Sequence, residues 1–319
     1  MRKDVKKSLL FIALTFLFNF SFIFAYFALG GKWVMPYAAI VGAIYMFVPM
    51  TVVIIVQKCI YKEPLKEPLG ISWKINRWWL VAWFLPPALA LATLAVSLLL
   101  PGVGYSPDMS GIAERFRYML PPEQFEKVQK QMADFPIHPF WLGLVQGLIA
   151  GISVNALAGF GEELGWRGLL QKELGFLGFW RSSILIGAIW GIWHAPLILK
   201  GHNYPQHPVA GVFLMTGWCM LLAPIFSYIR LKAKSVIAAA IIHGSLNATY
   251  GLAIVFVRGS DLLVGLTGLA GFIVLAVVNI AIFIYERLVL CCRSNDNRHS
   301  RESGNPGCQR NLDSASSAE

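Results

Sequence analysis

Eight runs of predominantly apolar residues follow one another along the chain, at about 9–29, 37–57, 79–100, 141–160, 182–199, 209–229, 236–257 and 262–286. Each is close to the roughly 20 residues that a helix needs to cross the ~30 Å hydrocarbon layer. The pattern predicts an all-α fold, a polytopic membrane helical bundle of about eight transmembrane helices. The embedded domain is expected over 1–292. Residues 293–319, rich in Ser, Asn and Arg, are expected to form a disordered cytoplasmic tail. Two connections carry content of their own. Residues 58–78 hold two Lys-Glu-Pro-Leu pieces and read as an interfacial loop or a short re-entrant element. The long connection 101–139 holds a mixed-charge stretch, 111–133, which predicts two short amphipathic helices broken at Pro121-Pro122.

Composition agrees with that reading. The 319 residues are 56% hydrophobic and only 14% charged, and the mean hydropathy is +0.60. A soluble domain carries about 25% charged residues. The net charge of +10 therefore implies no nucleic-acid partner; it belongs in the loops on one side of a bilayer. With the N-terminus inside, the inner connections and tails hold 20 Lys and Arg, and the outer ones hold 7: Lys32, Arg115, Arg117, Lys127, Lys130, Lys200 and Arg258. Both termini are thus expected in the cytoplasm, with the chain multi-pass in the plasma (inner) membrane. The first apolar run is longer than the 7–15 residues of a signal-peptide core and reads as an uncleaved span. The five cysteines form no CxxC and no regular spacing, hence neither a disulfide framework nor a zinc cage. Glycines at four-residue intervals (Gly143, Gly147, Gly151; Gly187, Gly191) read as close helix packing.

Ionisable groups at membrane depth are expensive and point to function. They fall in three clusters here. In Gly161-Glu162-Glu163-Leu164-Gly165-Trp166-Arg167, Glu163 and Arg167 share a helix face in the favourable order of acid before base. Glu162 points about 100° away. One carboxylate is then neutralised while the other stays available as a base; the bland alternative is two solvated interfacial glutamates. In Trp190-Gly191-Ile192-Trp193-His194-Ala195-Pro196, the indole of Trp190 walls the imidazole of His194, which could equally be a helix–helix hydrogen-bond partner. In His243-Gly244-Ser245-Leu246-Asn247, two donors four residues apart face one way, and could also be interhelical glue. The depth of Glu162 is in tension with that of the two histidines unless the fourth helix runs on to about 170.

These motifs, Glu162-Glu163-xxx-Arg167, Trp190-xxx-His194 and His243-xxx-Asn247, resemble the pattern EExxxR, FxxxH, HxxxN of the CPBP family of intramembrane proteases. That family includes the type II CAAX prenyl endopeptidases (Rce1-like) and bacterial Abi proteins. The resemblance covers about 140–255, and Trp190 in place of Phe is its one departure. It implies an endopeptidase acting on membrane-tethered substrates, CAAX-like or other small membrane peptides, cut near the cytoplasmic side. Its partners would be membrane lipids and a membrane-bound peptide or protein. It further implies Glu162 as general base supported by His194, His243 and Asn247 as oxyanion donors, and Glu163–Arg167 as the orienting pair. Glu162, His194 and His243 could alternatively hold Zn; a metal-free glutamate mechanism is equally compatible. Two other functions stay open: a non-catalytic scaffold or bacteriocin-immunity protein of the same fold, and a small transporter with a proton relay.

Overall fold

The computed structural model describes residues 2–109 and 138–302, with isolated positions 123, 126, 127 and 130 between them; from residue 289 onward it describes the backbone alone. The expected amphipathic helices of 111–133 and residues 303–319 of the expected tail lie outside the described residues. Helix α1 spans Lys3–Ala28. Helix α2 spans Tyr37–Val53 and widens into a π-helical stretch, Ile54–Ile60. Helix α3 (Arg77–Ser97) follows, then α4 (Pro139–Gly151) and α5 (Val154–Glu163). The latter continues through a second π-helical stretch, Leu164–Leu170, to Glu173. Helix α6 (Phe179–Trp193) is followed at once by the single turn α7 (Ala195–Ile198). Helices α8 (Pro208–Ala233), α9 (Val236–Thr249) and α10 (Leu269–Glu302) complete the bundle. Strands β1 (Gly104–Tyr105) and β2 (Val257–Arg258) form one short antiparallel pair. The chain divides into two compact units, Met1–Leu275 and Ala276–Glu319. The second consists, as far as it is described, of the greater part of α10, which continues through 293–302.

The helix boundaries follow from local chemistry. The Asn76 side chain accepts from the Trp78 backbone N–H at 3.0 Å and caps α3. Ser235 caps α9 in the same way through Ile237 at 3.2 Å. Lys234, at φ 53°, ends α8 in the left-handed conformation. Pro196 has no N–H to give and disfavours helix at the residue before it, so α6 stops short of it.

Among the described residues, six helices are long and apolar enough to cross a membrane, or seven if α4 and α5, bent by 51°, form one span. This is fewer than the eight apolar runs in the sequence. The run expected at 182–199 falls short because the helix breaks at His194, leaving α6 with 15 residues. Its two ends nevertheless lie at opposite ends of the first unit.

Those two ends are well defined. At one end, Lys3 and Lys7 reach Glu63 at 2.8 and 2.6 Å, and Lys7 reaches Glu173 at 3.0 Å. The same end holds the Val236 N–H on the Gly70 carbonyl (2.8 Å) and the Phe179 ring 6.3 Å from that of Tyr228. At the other end lie the β1–β2 pair, Lys200 over the Phe27 ring (4.7 Å), and Trp33 edge-on to His202 (5.5 Å). The first is the basic end of the unit and the second its far end.

Burial is inverted relative to a soluble protein. Leu17, Phe24 and Phe213 are exposed, whereas Lys7, Glu162, Glu163, Arg167 and His243 are buried. Helix α9 is the most enclosed candidate span, with 67% of its most apolar window buried against 28% for α1. Small residues let its neighbours approach. A Cβ on Gly151 would stand 2.8 Å from the Ser245 Cα, and one on Gly187 would stand 2.6 Å from the Cys219 carbonyl oxygen. Gly143 differs, with nothing nearer than 4.0 Å.

Candidate active site

Continuation of α5 through its π-helical stretch resolves the depth problem. Glu162 lies eleven residues before Glu173, which meets Lys7 at the basic end; at 1.5 Å per residue that is about 16 Å of depth. The carboxylate therefore stands in the interior beside the histidines. Glu162 is 2% exposed, His243 4% and His194 8%. A π-helical widening inside an α-helix often accompanies a functional site. Here it follows directly on Glu163 and carries Trp166 and Arg167 inward, both fully buried.

The two glutamates have different surroundings. Glu162 Oε2 accepts from two indoles, Trp190 at 2.6 Å and Trp166 at 3.2 Å. Its other oxygen, Oε1, stands 3.9 Å from His243 Nε2. That gap is too long for a direct hydrogen bond and short enough for one water to touch both groups. Glu163 Oε1 accepts from Arg167 at 3.0 Å and from His243 Nδ1 at 2.7 Å. The orienting pair of the sequence reading is therefore a triad in which Glu163 also holds the imidazole. The Arg167 guanidinium lies over the rings of Trp190 (4.4 Å) and Phe226 (4.9 Å), a favourable cation–π arrangement in a dry site.

Hydrogen-bond bookkeeping fixes both imidazoles. A carbonyl only accepts, so His194 Nδ1 donates to the Trp190 carbonyl at 2.8 Å. A carboxylate likewise accepts, so His243 Nδ1 donates to Glu163. Each ring keeps Nε2 for other partners. Asn247, one turn beyond His243, is exposed. Glu162, His194, His243 and Asn247 all line one cavity of about 500 Å³. Glu163 and Arg167 stand behind its wall.

Two features were not read from sequence. Trp166 and Trp190 clamp Glu162; the Glu162–Trp166 spacing of four was visible and went unused, while Trp190 was assigned to His194 alone. Asn19 in α1 is the other. It accepts from the Trp193 indole (2.9 Å) and donates to the Tyr45 carbonyl (2.9 Å), while the Tyr45 hydroxyl donates to the Trp193 carbonyl (2.7 Å). This buried network ties α1 and α2 to the residue preceding His194.

The donor set Glu162, His194 and His243 has the chemistry of a zinc site. Among the described residues, however, no three His, Cys, Asp or Glu side chains converge closely enough to hold a metal ion. Oε2 of Glu162 is also already engaged by two N–H donors. As placed, these residues do not fit a resident metal.

Residues 138–249 match the family model for type II CAAX prenyl endopeptidase Rce1-like proteins. The motif-bearing core is thus similar to that family. A curated CAAX prenyl protease 2 from Methanococcus maripaludis is 35% identical to this chain over 98 residues. The aligned stretch is 28% of this chain and 36% of that protein, so the match spans about a third of the relative's length. The matched stretch contains every residue of the three motifs, and around it the chain builds a multi-pass membrane bundle.

Proposed function

We propose that the protein is an intramembrane endopeptidase that hydrolyses peptide bonds of membrane-tethered substrates, using a water activated by Glu162. The observation that carries this is the convergence of Glu162, His194, His243 and Asn247 on one cavity from α5, the α6–α7 break and α9. Glu162 Oε1 takes a proton from the water while its oxygen bonds to the substrate carbonyl carbon. The carbonyl oxygen becomes an oxyanion, which Asn247 Nδ2 and His243 Nε2 stabilise; donation by His243 requires both ring protons, with Glu163 accepting the one on Nδ1. Collapse breaks the C–N bond, and the proton held by Glu162 passes to the leaving amine. Fixed donors in a water-poor site are worth several kcal/mol to such an oxyanion. His194 is held by the Trp190 carbonyl with Nε2 free to bind the water from its other side. The protein resides in the plasma (inner) membrane with both termini in the cytoplasm, and no metal is needed in this scheme.

The test is cleavage of a peptide library by the purified full-length protein, read by mass spectrometry. Glu162→Gln keeps the indole contacts at one oxygen and removes the base. We expect at least a ~10³-fold loss of cleavage, within the range of general-base catalysis, with an unchanged thermal midpoint. Exhaustive chelation should leave the wild-type rate within about twofold. Cleavage that survives the substitution would falsify the assignment of the base; loss on chelation with recovery on Zn would replace the metal-free scheme.

A further inference from the structure

His194 sits where its helix breaks, and the break sets what its ring can do. In an unbroken α-helix each N–H bonds the carbonyl four residues before it. Around His194 that register is lost. The His194 N–H goes to the Gly191 carbonyl at 3.1 Å, and the Leu197 N–H to the His194 carbonyl at 3.0 Å. The carbonyls of Trp190 and Trp193 thereby lose their helical donors. A buried carbonyl without a donor costs stability, and side chains fill both places. His194 Nδ1 donates to the Trp190 carbonyl at 2.8 Å, which fixes the tautomer and keeps Nε2 for other partners. The Tyr45 hydroxyl of α2 donates to the Trp193 carbonyl at 2.7 Å.

The second of these bonds belongs to a closed circuit of three residues from three helices. The Trp193 indole donates to Asn19 of α1 at 2.9 Å, and the Asn19 amide donates to the Tyr45 carbonyl at 2.9 Å. The Tyr45 ring lies 4.4 Å from the Trp193 ring. Asn19 is fully buried, and Tyr45 and Trp193 are each 1% exposed, so water scarcely competes for these bonds. An amide in an apolar span is costly unless both its donor and its acceptor are used. Asn19 uses both on this circuit, which closes on the carbonyl that the break releases.

The circuit also reaches the base. The Trp193 ring meets that of Trp166 edge-on at 5.7 Å, and the Trp166 indole donates to Glu162 at 3.2 Å. On its other side Trp166 meets the Phe11 ring of α1, again at 5.7 Å. Asn19 and Tyr45 carry none of the three motifs, and both lie outside the matched stretch 138–249.

We propose that Asn19 and Tyr45 are positioning residues for His194: through Trp193 they hold the α6–α7 break in the geometry that leaves the His194 Nε2 to the reacting water. This rests on the peptidase reading above.

The experiment compares Tyr45→Phe and Asn19→Ala with wild type in the purified full-length protein, by two readouts. The first is nitrogen NMR of ring-labelled histidine, in which the His194 signals are those absent from His194→Gln. Wild type should show a single tautomer with the proton on Nδ1. Both variants should move the two ring signals toward those of an imidazole that exchanges between tautomers. A His194 spectrum unchanged in both overturns the proposal. The second readout is cleavage. Tyr45→Phe keeps the ring and removes one hydroxyl. It should lower kcat about tenfold, the lower range for partners that orient a functional histidine, with KM within about twofold. In a His194→Gln background the same substitution should cost less than about twofold, because the ring it positions is gone. A loss confined to KM, or an equal loss with and without His194, overturns the proposal and makes the circuit purely structural. Asn19→Ala should lower kcat in the same sense. If its thermal midpoint shows that it does not fold, the near-isosteric Tyr45→Phe decides alone. If the His194 spectrum responds as expected but no peptide is cut in a Glu162-dependent way, the positioning stands and the peptidase reading falls.

Discussion

Two clusters in this bundle bury a cation against a pair of glutamates, and they are finished in opposite ways. At the basic end, Lys7 is 1% exposed and reaches both Glu63 and Glu173, with Lys3 and Lys172 adding further contacts. These carboxylates face water on one side and lysine on the other. In the interior, Arg167 meets one oxygen of Glu163; Glu163 Oε2 and Arg167 Nε and Nη2 are buried without partners, and Glu162 Oε1 stops 3.9 Å short of His243. The first cluster satisfies its members and joins α1, the loop after α2 and the end of α5. The second leaves acceptors and donors unused around a cavity. A buried polar network that is only partly satisfied costs stability, and such sites persist where chemistry requires them.

If that contrast is right, breaking the interior cluster should cost activity first. Beyond Glu162→Gln, the largest effect is expected from Glu163→Gln. The amide can still accept from His243 Nδ1, but it no longer neutralises Arg167. We expect cleavage to fall about 10²-fold, the upper range for outer-shell partners that orient a functional histidine. Stability should fall by about 3 kcal/mol or more, because a buried guanidinium loses its counter-ion. The double variant Glu163→Gln/Arg167→Met separates the two effects. It should regain most of the thermal midpoint and little of the activity. Recovery of both together would make the pair purely structural.

Trp190→Phe comes next. It restores the residue that the family pattern carries and keeps a ring under Arg167, while deleting the 2.6 Å hydrogen bond to Glu162. A hydrogen bond to a charged group is worth about 1.5–3 kcal/mol. Because Trp166 still holds the same oxygen, we expect roughly a tenfold loss in kcat with KM within about twofold. A change confined to KM would mean that the indole shapes the cavity and does not position the base.

The same contrast explains what could be read from the sequence. Apolar runs and charge bias are one-dimensional signals, so the bundle and its two ends were visible in residues 9–286. The three motifs placed Glu162, Glu163, Arg167, His194, His243 and Asn247, because i,i+4 spacing survives in any helix. The π-helical stretches and the break at Ile152-Ser153 were not visible. They come from tertiary fit, such as Gly165 against the Phe11 ring and Gly151 against Ser245, and not from local propensity. Lys7 was read as a loop charge, yet it lies on α1 with its ammonium buried between Glu63 and Glu173 from distant segments. Asn19, an uncharged amide in a Phe-rich run, gave no warning of its contacts with Tyr45 and Trp193.

The basic-end cluster should respond in the opposite sense to the interior one. Lys7→Met removes the buried member and leaves Glu63 and Glu173 with Lys3 and Lys172. Both carboxylates are partly solvated, so we expect only about 1–2 kcal/mol of destabilisation, the value of one or two charge-assisted hydrogen bonds, with cleavage within about twofold of wild type. A tenfold loss of activity would show that the clamp and the site are coupled through α5.

The smallest effect is one of pH. Lys3 and Lys7, hydrogen-bonded to Glu63, hold its carboxyl at about 2, below its ordinary value of 4.5. A group with a depressed native value binds its proton more readily in the unfolded chain. Its contribution to stability is therefore complete above about pH 4.5 and is lost as the pH falls toward 2. In Glu63→Gln that dependence should vanish. The difference in thermal midpoint between wild type and variant should be constant from pH 7 down to about 5, then shrink between 4.5 and 2. Because Glu63 is a quarter exposed, salt should reduce the difference at every pH. A gap that widens on acidification would mean that another group, and not this carboxylate, titrates the clamp.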